Sequence, residues 1–256
     1  MTPDSTSSEL ASESANPSFY NRDSATYDEQ RWESKTGQFV NAAQQKILQD
    51  LCAEWNGQRV LEVGPGTARF SIPLAQKRNH MTLLDISTGM LDVARANLEK
   101  AGCIEQVDQF VEGSVYELPF DGASFDHALS LNVFNHLERP GEALKQLARV
   151  IKPGSTLLFN YANVHSYYWP AARRINQNKT AVGKDVYSTW ERARDMDHHI
   201  DEAGLDLLRR VGNVHVPSAM EKYPVLPIVM MLDAISRSGP LKRFAPFHFC
   251  LCRKRT

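Results

Sequence analysis

The sequence predicts an α/β domain built on a parallel sheet. Short apolar runs suited to buried strands alternate with segments whose apolar residues recur at helical spacing. A glycine-rich turn follows the first of these runs, and an aspartate ends the second. Together these observations are typical of a crossover that binds a nucleotide beyond the carboxyl ends of its strands.

The predicted strands are short and mostly buried, and helical patterns separate them. The strands are expected at Arg59–Val63, Met81–Asp85, Gln109–Glu112, His127–Leu131, Thr156–Tyr161 and, at the end of the chain, His248–Arg253. Helices are expected at Gly37–Leu51, Phe70–Gln76 and Pro140–Val150. A proline suits the first position of a helix, and the sequence Lys152-Pro153-Gly154 is expected to end the third helix before the fifth strand.

The turn after the first strand carries the strongest functional signal. Gly64 and Gly66 permit a tight turn, so that a ligand can approach bare backbone. Asp85 lies 21 residues beyond Gly64, where a second parallel strand places a carboxylate beside ribose hydroxyls. Glu62 disfavours a pyrophosphate and suits an ammonium group, directly or through water. The expected ligand is therefore nucleoside-like and cationic.

These motifs resemble those of class I S-adenosylmethionine-dependent methyltransferases, over roughly Tyr27 to Arg253. The family's E-x-G-x-G-x-G loop is similar to Glu62–Ala68, its ribose acid to Asp85, and its adenine segment to Gly113–Phe120. The segments that begin at Phe125 and Arg149 resemble its fourth strand and its turn into the fifth. Two positions depart from the family: Ala68 stands where a third glycine is usual, and Ser114 where an acid is frequent. We expect both to be tolerated, Ala68 provided that its backbone dihedrals are ordinary.

The resemblance implies a Rossmann-like, doubly wound sheet of seven mostly parallel strands whose last strand is antiparallel. It also implies an N-terminal helical lid, an acceptor-site insertion after strand five, S-adenosylmethionine as cofactor and S-adenosylhomocysteine as product. The implied cofactor-binding residues are Tyr27, Glu62, Gly64, Pro65, Gly66, Asp85, Ile86, Gly113, Ser114, Val115 and Leu131. For Tyr27, covering the cofactor and ordinary packing are equally open.

Acceptor recognition is expected in the loops that follow the fourth and fifth strands. Their aromatic and hydrogen-bonding side chains suit a small-molecule pocket, although a packed lid is the alternative. The candidate acceptor residues are Asn135, Tyr161, His165, Tyr168, Trp169 and Arg173. His136 and His165 are the candidate catalytic bases, because imidazole titrates near neutral pH; for His136 a packing or capping role is the alternative, and for Arg173 a solvated helix face.

Length and composition favour one enzyme domain, from residue 18 to 256, after a disordered tail at residues 1–17. A formal net charge of −1 gives no electrostatic drive toward nucleic acid, and no apolar run is long enough to span a membrane. The four cysteines are expected to be free thiols in a cytoplasmic protein. The apolar run from Val225 suits core packing, a lipid-facing surface or a homodimer contact. No metal is expected, because a solvated helix explains the acids and histidines of Asp195–Asp201.

The expected activity is methyl transfer to a small-molecule acceptor, at oxygen, by in-line displacement. Other acceptors remain open within the enzyme class: a lipid, a glycan, an RNA or a protein. An NAD-linked dehydrogenase would need a better phosphate loop than Gly64–Ala68 offers, and a non-catalytic nucleotide-binding protein would more readily lose Glu62 or Asp85.

Overall fold

The computed structural model describes residues 31–170, 173–174, 188–213, 227–228, 231, 235 and 239–256. The expected disordered tail, Tyr27 and most of the apolar run from Val225 lie outside these residues. Within them, seven strands form one sheet with the order β3-β2-β1-β4-β5-β7-β6. The strands are β1 (Arg59–Val63), β2 (His80–Asp85), β3 (Val107–Glu112), β4 (Phe125–Ser130), β5 (Ile151–Ala162), β6 (Leu205–Asn213) and β7 (Phe247–Lys254).

The sheet has the mixed topology that the resemblance implies. Strands β1 to β5 pair in parallel, whereas β7 runs antiparallel to both β5 and β6. The chain reverses its strand order between β1 and β4, because β2 and β3 lie on one side of β1 and the later strands on the other. Such a switch point leaves a crevice at the carboxyl ends of the strands.

Helices cover both faces of the sheet. They are α1 (Lys35–Leu51), α2 (Ser71–Ala75), α3 (Thr88–Lys100), α4 (Pro140–Val150) and α5 (Ala193–Glu202). Successive residues of β1 enter different apolar cores, Val60 the one that contains α1 and α3 residues and Leu61 the one that contains α4 and α5 residues. Burial on both faces explains why the central strands are continuous apolar runs.

The fifth strand begins earlier than the sequence predicts. Ile151 already pairs with Phe125 of β4 and is fully buried, so the chain becomes extended directly after α4. Lys152, Pro153 and Gly154 therefore lie within β5 rather than before it. The lysine is held there by an ion pair with Asp126, at 2.6 Å.

Two other expectations are confirmed. Helix α5 buries Met196 and Ile200 and keeps its charged face in solvent, where His198 lies 3.4 Å from Glu202. The four cysteines are free and buried. In the described part of the chain, no helix is long and apolar enough to cross a membrane.

Candidate functional site

A cleft that is partly open to solvent lies at the carboxyl ends of β1, β2 and β4. It brings together most of the residues predicted to bind the cofactor, and His136 with them. The predicted cofactor residues that line the cleft are Gly64, Pro65, Gly66, Asp85, Ile86, Gly113, Ser114, Val115 and Leu131. The walls are largely apolar, which suits a ligand with a flat, uncharged part.

The glycine turn needs its two glycines for different reasons. Both have positive φ, 73° at Gly64 and 55° at Gly66. A Cβ on Gly64 would lie 2.3 Å from Cγ2 of Val133, whereas a Cβ on Gly66 would meet no atom within 4 Å. Gly64 is thus required by close packing against the loop after β4, and Gly66 keeps the floor of the cleft open.

Ala68 does not have the ordinary dihedrals that its tolerance was expected to require. Its φ is 65°, in the left-handed region where a side chain is strained, and the residue is fully buried. At Ala68 the backbone therefore has the left-handed conformation that a glycine would adopt without strain, and the Ala68 methyl group adds strain. Hydrogen bonds hold it, from Ala68 N to Pro65 O at 3.0 Å and from Ile72 N to Ala68 O at 3.0 Å.

Asp85 ends β2 and presents its carboxylate to the cleft. One oxygen accepts from the backbone N–H of Ser87 at 3.0 Å, and the other from that of Gly66 at 3.4 Å. Burial raises the pKa of Asp85 to about 6, and these backbone hydrogen bonds oppose the rise. A ligand that donates hydroxyl hydrogen bonds to Asp85 would favour its charged form.

Glu62 does not line the cleft; it lies behind the turn and is 1% exposed. Its carboxylate accepts a hydrogen bond of 2.6 Å from the hydroxyl of Ser71 at the start of α2. Burial raises its pKa to about 7, although this hydrogen bond and the charge of Arg69 oppose the rise. The geometry shows Glu62 as an anchor for the turn, and its water-mediated contact with an ammonium group stays a prediction.

Arg69 and Trp32 also line the cleft, and sequence reasoning missed both as site residues. The Arg69 guanidinium lies 4.0 Å from the centre of the Trp32 ring and 3.9 Å from that of Phe70. It donates to Asn41 and Gln44 of α1, at 2.7 Å each. A cation directly after the glycine turn was the available signal for Arg69; Trp32 carried none beyond its aromatic ring.

The loop after β4 forms the opposite wall. Asn132 has a positive φ of 61° and is fixed by Asn160 of β5, which accepts from Asn132 N at 2.6 Å and donates to Asn132 Oδ1 at 3.0 Å. At the adenine segment, the hydroxyl oxygen of Ser114 accepts from the backbone N–H of Tyr116 at 3.1 Å. Ser114 thus shapes the local turn as well as lining the cleft.

His136 lies at the cleft, but its contact with Asn135 changes the expected role. The amide nitrogen of Asn135 lies 2.9 Å from Nε2 of His136. Because an amide N–H donates, Nε2 accepts and the imidazole proton is assigned to Nδ1. This arrangement favours His136 as a hydrogen-bond donor rather than as a base acting through Nε2.

The other acceptor candidates lie away from the cleft. Tyr161 is 1% exposed in the core, where its hydroxyl bonds to Nδ1 of His248 at 2.8 Å, and burial raises its pKa. His165 and Arg173 are exposed. Tyr168 and Trp169 instead pack around Trp190, with ring centroids 6.3 Å and 5.1 Å away. Tyr161 is unsuited to a pocket role, because its side chain points into packed interior.

Comparisons with known proteins identify the part of the chain that builds this cleft. Residues 61–159 match the family model described as "Methyltransferase domain". This part of the chain is similar to methyltransferase domains. The matched segment contains the glycine turn, Asp85, the segment from Gly113 and the loop after β4, so it supplies most of the cleft, whereas Trp32 lies outside it.

Curated relatives support the methyltransferase domain over part of their length. O-methyltransferase rstn1 of Aspergillus nomiae is 34% identical over 102 residues, which cover 40% of this chain and 45% of the relative. Ubiquinone/menaquinone biosynthesis C-methyltransferase UbiE of a Ruegeria species is 35% identical over 120 residues, 44% of this chain and 47% of the relative. The chain therefore spans about half the length of these relatives.

A solved structure extends the likeness of the methyltransferase domain to the whole fold. It is an S-adenosylmethionine-dependent methyltransferase, a possible histamine N-methyltransferase, from Thermotoga maritima. Its TM-score is 0.61 at 21% identity, over 93% of this chain and 99% of that chain. At this identity the likeness shows the fold alone.

Proposed function

We propose that this protein transfers a methyl group from S-adenosylmethionine to a small-molecule acceptor, at an oxygen atom. The observation that carries the proposal is the meeting of the Gly64–Gly66 turn and the Asp85 carboxylate in one largely apolar cleft. A dinucleotide would need room and charge for a pyrophosphate, whereas here the buried carboxylates of Glu62 and Asp85 flank the turn.

The residues present fit the cofactor. Asp85 can accept hydrogen bonds from the two ribose hydroxyls, and the apolar side chains of Ile86 and Val115 can enclose the adenine. Gly64 and Gly66 leave the backbone bare for the methionine part, near Leu131. Arg69 lines the same cleft and can supply a positive charge to the carboxylate of the methionine part.

When bound, the sulfonium group of the cofactor supplies an activated methyl group for in-line displacement. The protein then has to hold the acceptor oxygen in line and to exclude water, and such positioning alone yields effective molarities on the order of 10⁵ to 10⁸ M. The Asn132–Asn160 pair fixes the loop that faces the turn. His136, protonated at Nδ1, can donate to the acceptor and orient it.

Carbon is the second candidate for the methylated atom, because one relative is named a C-methyltransferase and another an O-methyltransferase. The two reactions differ in what the acceptor loses: a hydroxyl proton in one case, and a carbon-bound proton in the other. We further propose a reducing compartment such as the cytoplasm, in keeping with four free, buried cysteines.

An acceptor screen with S-adenosylmethionine labelled in its methyl group tests the proposal. We expect a hydroxylated small molecule to gain the label on oxygen, with one S-adenosylhomocysteine formed for each methyl transferred. The Asp85→Asn variant is the matched control, since it keeps the shape of the side chain and loses its charge. Label on carbon would support the second candidate, and label transfer that is indifferent to Asp85 would contradict the assigned site.

A further inference from the structure

A buried amide interrupts the apolar face of helix α1. Gln44 is 3% exposed, and its neighbours on the same face of the helix, Val40, Ile47 and Leu48, are buried aliphatic residues. Burying an amide is unfavourable unless its polar atoms are hydrogen-bonded. A glutamine at this position therefore points to specific partners.

The amide oxygen of Gln44 accepts a hydrogen bond from Arg69. Nη2 of the guanidinium lies 2.7 Å from Oε1 of Gln44, and Nη1 lies 2.7 Å from Oδ1 of Asn41. Because a guanidinium only donates hydrogen bonds, both amides must turn their oxygens toward it. Asn41 and Gln44 stand three residues apart in one helix and hence on one side of it. The two amides together fix the plane and the direction of the Arg69 guanidinium.

The same oxygen of Gln44 also reaches the loop after β4. Nδ2 of Asn132 donates to it at 3.4 Å, and Asn160 in turn holds Asn132. Arg69 and Asn132 both line the cleft, and the buried Gln44 contacts both. One buried atom thus joins a residue that follows the glycine turn to the loop that forms the opposite wall.

The strand order places Arg69 on the side of the cleft where the methionine part of the cofactor would lie. In the order β3-β2-β1-β4, Asp85 at the end of β2 and the segment after β3 are on one side of β1, and Asn132 after β4 is on the other. A ligand with its ribose at Asp85 and its base at the segment after β3 extends its remaining part toward β4. Through Gln44, Arg69 is tied to this β4 side.

We propose that Gln44, with Asn41 beside it, is a positioning residue that directs the Arg69 guanidinium toward the carboxylate of the methionine part. A planar guanidinium binds a carboxylate through paired N–H donors, so the affinity depends on its direction as well as on its charge. Binding of the methionine part then depends on Gln44, and binding of the nucleoside part does not. The inference rests on the proposed function, because it concerns the same cofactor.

Calorimetry on the full chain with two ligands tests the inference. S-adenosylhomocysteine carries the carboxylate, whereas 5′-methylthioadenosine has the same nucleoside and sulfur atom but no amino-acid group. We expect Gln44→Met to bind S-adenosylhomocysteine about tenfold more weakly than wild type, and 5′-methylthioadenosine equally well. Gln38→Met is the matched control, because Gln38 lies in the same helix and its amide donates to Glu33 O on the surface, at 2.9 Å. Both ligands should bind this variant as they bind wild type.

A double-variant cycle tests whether Gln44 acts through Arg69. In the Arg69→Met background, Gln44→Met should cause no further loss of S-adenosylhomocysteine affinity, since the guanidinium that Gln44 directs is gone. The cycle alone decides the result if 5′-methylthioadenosine binds too weakly to measure. If Gln44→Met does not fold, Asn41→Ala takes its place, because Asn41 is partly exposed and donates its oxygen to the same guanidinium contact. The same selective loss is then expected.

Equal loss of affinity for both ligands would mean that Gln44 only supports the packing of α1, and would overturn the inference. So would an unchanged affinity of Gln44→Met for S-adenosylhomocysteine, or a loss that is just as large in the Arg69→Met background. Failure of wild type to bind S-adenosylhomocysteine would instead count against the proposed function, so the two failures are distinguishable.

Discussion

The hydroxyl of Ser71 donates a hydrogen bond of 2.6 Å to the buried carboxylate of Glu62. This bond joins Glu62, near the end of β1, to Ser71, the first residue of α2. It therefore holds together the two ends of the glycine turn. Burial raises the pKa of this carboxylate to about 7, although the hydrogen bond from Ser71 and the charge of Arg69 oppose the rise. The turn is thus held by a group whose charge changes near neutral pH.

Replacing Glu62 by Gln should change how stability depends on pH. The raised pKa means that folding favours protonated Glu62, so its contribution is present below about pH 4 and is lost as the pH rises through about 7. A shift from 4.5 to about 7 corresponds to roughly 3 kcal/mol. Glu62→Gln stays neutral and can still accept a hydrogen bond from Ser71. Between pH 5 and pH 8 we therefore expect its free energy of unfolding to rise relative to that of wild type, by up to roughly 3 kcal/mol. Urea unfolding at several pH values measures it, and parallel pH profiles would refute it.

Replacing Gly64 by Ala should destabilise the protein more than the same change at Gly66. Both changes place a side chain at positive φ, which costs about 1 to 2 kcal/mol. At Gly64 the new methyl group also meets Val133 at 2.3 Å, and such overpacking adds about 1 to 3 kcal/mol. The double variant Gly64→Ala, Val133→Ala should recover part of that added loss. Equal losses of unfolding free energy in the two single variants would contradict the close approach.

Removing the Asp85 carboxylate should weaken cofactor binding by tenfold or more. A hydrogen bond to a charged partner is worth about 1.5 to 3 kcal/mol. In wild type, affinity for S-adenosylhomocysteine should also fall as the pH falls through about 6, where Asp85 becomes protonated. Asp126→Ala is the matched control, because Asp126 pairs with Lys152 on a different part of the sheet. Calorimetry compares the variants, and an Asp85→Ala affinity equal to that of Asp126→Ala would exclude a ribose contact.

His136→Gln and His136→Ala separate a donor from a base. If His136 orients the acceptor by donating from Nδ1, Gln can replace it in part and Ala cannot. We therefore expect turnover of an identified acceptor to fall further in the Ala variant than in the Gln variant. A base would lose roughly 10² to 10⁴-fold in both variants, with relief at high pH. Equal losses of that size would support the role of catalytic base that was predicted for His136 from the sequence.

The cofactor half of the site could be predicted from the sequence because contiguous motifs build it. The glycine turn, Asp85 and the segment from Gly113 each end a predicted strand, and parallel strands bring such ends together. The seven-stranded sheet that the family resemblance implies is also confirmed. The family resemblance supplied the antiparallel β7, which no local pattern showed.

The acceptor half could not be predicted in this way. Tyr161 was placed in a pocket because it stands at the end of the predicted fifth strand, but β5 extends to Ala162 and buries Tyr161 against His248. Thr189 reaches the turn that carries His136 only through hydrogen bonds between segments more than 50 residues apart. The positive φ of Ala68 likewise follows from the turn rather than from the residue type. Contacts of this kind depend on tertiary packing, which spacing along the chain does not encode.

Cofactor titration tests the central claim most directly. Calorimetry with S-adenosylhomocysteine, and separately with NAD, compares the two ligands that a glycine turn followed by an acidic residue such as Asp85 can bind. We predict one S-adenosylhomocysteine bound per chain, an affinity reduced tenfold or more by Asp85→Ala, and no measurable binding of NAD. Binding of NAD in preference to S-adenosylhomocysteine, or binding of neither, would contradict the account.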